Sequence, residues 1–256
     1  MAWYSAVEQN NPNKSVMIEF PDEPGVFHEE QNPTPFTTKQ IRLDFLRKVY
    51  GILTIQLLVT FLIVFALVNS IEATLWMEDH IWIVYICMGV ALVIMITLAC
   101  CPHMGRTFPA NFIFLGLMTL CESVIITVIC WYYDREDILL ALGITIGLVA
   151  VLTAFAMQTK WDFTIYIGFM CIAFLLVLVI GVVAIFFPDR LLHIIYSSFV
   201  ILLVCGAIII DTQLMLIGKH KHSFEPEDYV FAALALYVDI ITLFIHILRL
   251  IGLIRD

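Results

Sequence analysis

What this sequence has least of is charge. Only 14% of its 256 residues are Asp, Glu, Lys or Arg, whereas 62% are hydrophobic and the mean hydropathy is +0.98. A soluble domain carries about 25% charged and about 45–50% apolar residues, so an ordinary water-soluble globule is excluded. A disordered chain is excluded too, because disorder needs low hydrophobicity and high net charge. Basic residues are few, with 13 Lys and Arg against 22 Asp and Glu, and their scatter excludes a nucleic-acid partner. No CxxC pair occurs among the seven cysteines, Cys87, Cys100, Cys101, Cys121, Cys130, Cys171 and Cys205. All lie in or beside apolar runs, so they read as small buried hydrophobes rather than a disulfide framework. No apolar core follows Met1, so no signal peptide is expected. Neither a GxSxG elbow nor an HExxH helix is present.

What is there comes in blocks. A bilayer-spanning helix needs about 20 apolar residues, and runs of that kind occupy roughly 49–68, 81–100, 109–131, 138–157, 163–187, 191–217 and 229–251. The fold expected is therefore all-α, a polytopic seven-helix membrane protein whose first partner is the lipid bilayer. Residues 1–44 read as a flexible, acidic, Pro-rich cytosolic tail and 45–256 as the membrane domain. Five of the nine prolines (Pro12, Pro21, Pro24, Pro33 and Pro35) lie in that tail, which has no hydrophobic period. Pro109 suits a first helical position, Asp137 and Asp162 suit N-caps, and Gly218 suits a helix end. Pro226, Glu227 and Asp228 open the last helix, their acids facing its positive dipole end.

Lys and Arg in the short loops set the orientation. Arg42, Arg47, Lys48, Arg106, Lys160, Lys219 and Lys221 fall on one side, and only Arg135 and Arg190 on the other. The N-terminus is accordingly expected in the cytosol. Arg249 and Arg255 disagree with this pattern, so either the last element is re-entrant or the rule is overridden there. An N-terminus inside argues against a seven-helix receptor, and the absence of Lys from 229–251 against a retinal protein.

Three acids interrupt the spans: Glu122, Asp211 and Asp239. Each costs about 2.5–3.5 kcal/mol or more if it faces lipid near the bilayer centre, so each belongs to the bundle interior or a wet cavity. In the last span Asp239, Thr242, His246 and Arg249 are spaced three, four and three residues apart and share one helical face. That stripe either lines a solvated path or bonds to neighbouring helices. Asp211 lies roughly 10 Å and Asp239 roughly 16 Å from the same side, at 1.5 Å per residue. Sequential helices joined by a short loop usually pack together, so the two carboxylates are placed to meet. Two adjacent carboxylates in low dielectric do not both ionise cheaply; they share a proton and form a pH-sensitive pair. Their oxygens also suit transient ligation of a hard cation such as calcium. Glu122 sits beside Thr119 and Ser123 in mid-span. Arg106 either reaches into the bundle as a latch on a carboxylate or snorkels to lipid headgroups.

Two aspartates on adjacent helices also describe intramembrane aspartyl proteases, but no glycine flanks Asp211 or Asp239 as that family's GxGD pattern requires. No enzymatic activity and no resident cofactor are expected.

Several stretches carry a resemblance. They are Phe45-Leu-Arg-Lys-Val-Tyr50, Met157-Gln-Thr-Lys-Trp-Asp-Phe163, Asp211-Thr-Gln213, Glu227-Asp-Tyr-Val-Phe-Ala-Ala-Leu-Ala-Leu-Tyr-Val-Asp239 and Leu243-Phe244. In this order, over about 45–251, the chain resembles the transmembrane BAX inhibitor motif family, most closely its lifeguard branch. The resemblance implies a central last helix surrounded by the others. It also implies a pH-sensitive calcium leak from endoplasmic reticulum or Golgi stores that restrains apoptosis, with calcium as the transported ion. Asp211 and Asp239 match that family's paired pH sensor and Glu122 its third-helix glutamate, and Arg106 lies near its latch arginine. The permeation path is expected to include Glu122, Thr242 and His246. Two rivals stand beside the leak: a proton-coupled calcium or cation exchanger, and a non-conducting regulator that binds other membrane proteins of death or calcium signalling.

Overall fold

A computed structural model of the chain describes residues 35–187, 189–217 and 228–255. Expectations for the tail up to residue 34, for Gly218, Lys219 and Lys221, and for Pro226 and Glu227 lie outside the described residues. Among the described residues all regular structure is helical. Helix α1 (Pro35–Val68) is followed by α2 (Ile71–Asp79), α3 (Trp82–Cys100), α4 (Pro102–Arg106), α5 (Ala110–Cys130) and α6 (Arg135–Gln158). A 3-10 turn (Phe163–Tyr166) leads into α7 (Ile167–Phe186), and α8 (Arg190–Ile217) and α9 (Tyr229–Arg255) complete the order.

Six helices are individually long and apolar enough to cross a membrane, and the count is seven when the α2–α3 pair, bent by 81°, is taken as one broken span. The all-α polytopic bundle expected from the apolar runs is the fold that forms. Helix α1 starts well ahead of its apolar run because Phe45, Val49, Leu53, Gln56 and Thr60 are all buried. These positions recur every three or four residues and make one continuous inward stripe.

Two details depart from the sequence reading. The stretch 69–80, which lies between the first two apolar runs, contains α2, whose N-cap Ser70 accepts a hydrogen bond from the Ala73 N–H at 3.3 Å. Met77 pins this short helix to Val84 and Val128. Asp137 is not an N-cap: α6 begins at Arg135 with Asp134 in the cap position. Asp137 therefore lies inside the first turn, leaving its carboxyl free for a distant partner. Asp162 does cap, its Oδ1 accepting from the Thr164 N–H at 3.0 Å.

Helix α9 is the axis of the bundle. Twelve of its 27 residues are buried against one of the 20 in α7, and it packs on α8, α1, α6 and α5. Tyr237, Leu234, Leu243 and Leu248 are wholly enclosed, and Ile240, Ile241 and Phe244 are buried on other faces. These residues pack against protein rather than lipid. The helix is unbroken over 27 residues, about 40 Å long, so the re-entrant alternative for the last element also falls.

Candidate functional site

One end of α9 is fixed by two cations. Arg106, at the end of α4, holds Asp228 with both prongs of its guanidinium, Nε to Oδ1 at 2.6 Å and Nη2 to Oδ2 at 3.0 Å. Such a fork fits a carboxylate in register, which a lysine cannot match. Asp228 directly precedes the first turn of α9, where the helix dipole also favours a negative charge. Lys48 of α1 lies 5.5 Å from the centre of the Tyr229 ring, close enough for a cation–π attraction. Arg106 thus engages a carboxylate at the end of the bundle, Asp228.

Deeper along α9, Asp239 lies within electrostatic reach of Asp211 on α8, the helix that α9 packs on most extensively. Asp239 is half-buried, and its Oδ2 is buried without a hydrogen-bond partner. Asp211 is half-buried on the outer flank of α8, beside an open space of about 330 Å³ between α7 and α8. Next to it, buried Gln213 accepts a hydrogen bond from the Phe163 N–H at 2.7 Å and donates one to the Trp161 carbonyl at 2.8 Å. This staple fixes the start of α7 to the helix that carries Asp211. The two carboxylates offer oxygen ligands to a passing cation. Among the described residues no cluster of three or more metal-ligating side chains surrounds them, whereas resident calcium takes six to eight oxygens.

The remainder of the α9 stripe also turns toward α8. His246 meets the Tyr196 ring edge-on, with centroids 5.6 Å apart, and its Nδ1 is buried without a partner. Arg249 bonds His193 Nδ1 at 2.8 Å and lies 6.0 Å from the centre of the Tyr196 ring. Thr242, between Asp239 and His246 in the stripe, is half-buried.

Glu122 stands elsewhere. It is half-buried on α5, where its charge reaches Tyr237. Tyr237 and Asp239 are two residues apart, about 200° around a helix of 3.6 residues per turn, so they point to nearly opposite sides of α9. The structure thus unites the two aspartates and places Glu122 across the axis from them. Around Glu122 runs a polar seam that sequence reasoning largely missed. Tyr237 Oη and Thr60 Oγ1 share a hydrogen bond of 2.8 Å, and Gln56 Nε2 donates to Thr119 Oγ1 at 3.1 Å. Thr119, Ser123 and Thr127 stack along α5. The four-residue spacing of these hydroxyls was the available signal.

At the opposite end, Arg255 pairs with Asp137 and lies 3.6 Å from Glu136, both on α6. Arg190 of α8 donates through Nε to the Leu253 carbonyl at 2.9 Å. The arginines that disagreed with the loop-charge pattern therefore have structural partners: Arg249 inside the bundle and Arg255 at its end.

Residues 42–256 match the family described as inhibitor of apoptosis-promoting Bax1. The chain is 31% identical to Bax inhibitor 1 of Schizosaccharomyces pombe over 266 aligned positions, covering 99% of this chain and 97% of that one. It is 33% identical to Protein lifeguard 3 of Mus musculus and 34% identical to Protein lifeguard 3 of Homo sapiens, each alignment covering 86% of this chain and 72% of the other.

Proposed function

The chain belongs to the transmembrane BAX inhibitor motif family, in its lifeguard branch, and from that membership we propose that it is a pH-sensitive calcium leak of intracellular membranes. In this reading it lowers the calcium of endoplasmic reticulum or Golgi stores and so restrains apoptosis. What supports the reading is the placement of Asp211 and Asp239 on the two packed helices α8 and α9, within electrostatic reach of each other. Two carboxylates that share a proton change their net charge with pH, and that charge governs both their attraction for a cation and their hold on each other. Asp211 and Asp239 are the gate, and Glu122, Thr242 and His246 mark the path.

The polar seam around Glu122 and the aspartate pair lie on opposite sides of α9, so conduction requires that helix to move. The Arg106–Asp228 latch, at the end assigned to the cytosol with the N-terminus, restrains that motion. Since Arg255 is neutralised by Asp137 and Glu136, its position past the seventh span is compatible with a cytosolic N-terminus.

The test is calcium efflux from proteoliposomes holding the full chain, with Asp211→Asn and Asp239→Asn compared at several symmetric pH values. The expected outcome is an altered rate and a flattened pH response in both. An unchanged rate and response would remove the gate. The tight enclosure of α9 favours one second reading, a regulator that carries no ion; protection of cells by protein that shows no flux would select it. Calcium movement that follows an imposed proton gradient would select the exchanger.

A further inference from the structure

The open space beside Asp211 has a chemistry of its own. Helix α7 is the outermost helix of the bundle and packs chiefly on α8, so the groove between them opens on the lipid-facing flank. It measures about 330 Å³ and is lined by Ile167, Met170, Cys171 and Phe174 of α7 and by Ala207 and Asp211 of α8, among others. Asp211 is the one charged group in that lining, and no hydrogen bond is formed to its carboxyl among the described residues. An apolar cleft of a few hundred Å³ with a single placed polar group is the usual make-up of a small-ligand site.

Depth gives the orientation of the occupant. Asp211 is six residues from the end of α8 at Ile217, roughly 9 Å, a level where a charged head still reaches the membrane surface region. Cys171 and Phe174 line the groove further along α7, toward the bilayer middle. Among the described residues no cation lies against the carboxylate and no other polar side chain lines the cleft, which lies beside the least buried helix of the bundle. We propose that this groove binds a single-chain cationic amphiphile, its ammonium head on Asp211 and its alkyl tail along Cys171 and Phe174. The inference concerns binding alone and stands whether or not the protein conducts calcium.

The probe is dodecylamine, added to the full-length protein in neutral-detergent micelles, with dodecanol as the uncharged control of equal tail. The first readout is alkylation of Cys171 by N-ethylmaleimide, followed by peptide mass spectrometry, with exposed Cys101 as internal reference. At amine tenfold above its Kd the free fraction falls to about one in eleven, so Cys171 should react about elevenfold more slowly while Cys101 is unchanged. The second readout is thermal unfolding, where the amine should raise Tm and dodecanol should not. Asp211→Asn should weaken amine binding about 30-fold or more, the usual loss for one partner of a desolvated charge pair. Ala207→Phe, which fills the cleft and keeps the charge, should abolish Cys171 protection. Equal protection by dodecanol, equal slowing of Cys101, or undiminished binding in a folded Asp211→Asn protein would overturn the site.

Discussion

Replacing Tyr237 by Phe removes one oxygen from the middle of the bundle and tests the seam that joins α1 to α9. Tyr237 is fully enclosed, and its hydroxyl lies 2.8 Å from Thr60 Oγ1. A buried hydroxyl left without a partner costs about 1–3 kcal/mol in a water-soluble protein. Two features lower that figure here. Interhelical hydrogen bonds in a membrane average about 0.6 kcal/mol and reach about 1.7. Thr60 also has a fallback on its own helix, of the kind Thr119, Ser123 and Thr127 already use by bonding the carbonyl four residues back at 2.6–2.7 Å. The expected loss is about 1 kcal/mol. The assay is reversible unfolding in mixed micelles with rising denaturing detergent, run as a double-mutant cycle with Thr60→Val. A coupling of about 0.6–1.7 kcal/mol is expected. Thr212→Val serves as the control, because Thr212 bonds only Ile208 of its own helix and should show no coupling to Tyr237. A Tyr237–Thr60 coupling within about 0.3 kcal/mol of zero, the noise of such cycles, would refute the account.

Other perturbations reach the ends of α9. Arg106→Ala should destabilise by about 1–2 kcal/mol, the range for a charge-assisted hydrogen bond reduced by solvent screening, since 35% of the Arg106 side chain is exposed. Arg106→Lys should fall between the two in the same micelle assay, because it keeps the charge and loses the fork; equality with Ala would show that the fork contributes nothing. Arg255→Gln and Asp137→Asn should each speed amide exchange in the last turn of α9, and the double variant should exchange no faster than the faster single one. Additive acceleration would mean that the two side chains act separately. A Cβ on Gly252 would overlap the Tyr133 ring, so Gly252→Ala should lower stability by about 1–3 kcal/mol, the range for overpacking. Tyr133→Leu should relieve that loss, and a silent Gly252→Ala would show that the ring swings away freely.

Much of this architecture is local information and was legible. Seven apolar runs fix the number and order of the spans, because helix length against bilayer thickness is read along the chain. Depth and the adjacency of sequential helices placed Asp211 and Asp239 on two helices, α8 and α9, that do pack together. What the sequence hid is long-range or short. Helix α2 has nine residues, too few for a span, and its signal was one capping serine. The partner of Arg106 was in plain view as Asp228 but was read only as a dipole acid, since nothing local joins α4 to α9. Asp137 looked like a cap for the same reason: its true partner, Arg255, is 118 residues away. The separation of Glu122 from the aspartates follows from the 200° between Tyr237 and Asp239, yet only the packing of α9 between α5 and α8 gives that angle a meaning.

The ties at both extremities of α9 limit how it can travel. Arg106 and Lys48 grip Asp228 and Tyr229 at one tip, while Arg255 grips α6 and Arg190 grips the Leu253 carbonyl at the other. A piston stroke of one helical pitch, about 5.4 Å, would rupture both sets together, whereas a twist about its own length strains them far less. The rod is journalled like an axle, and swivelling is the cheap motion by which Asp239 could be swept toward or away from Asp211.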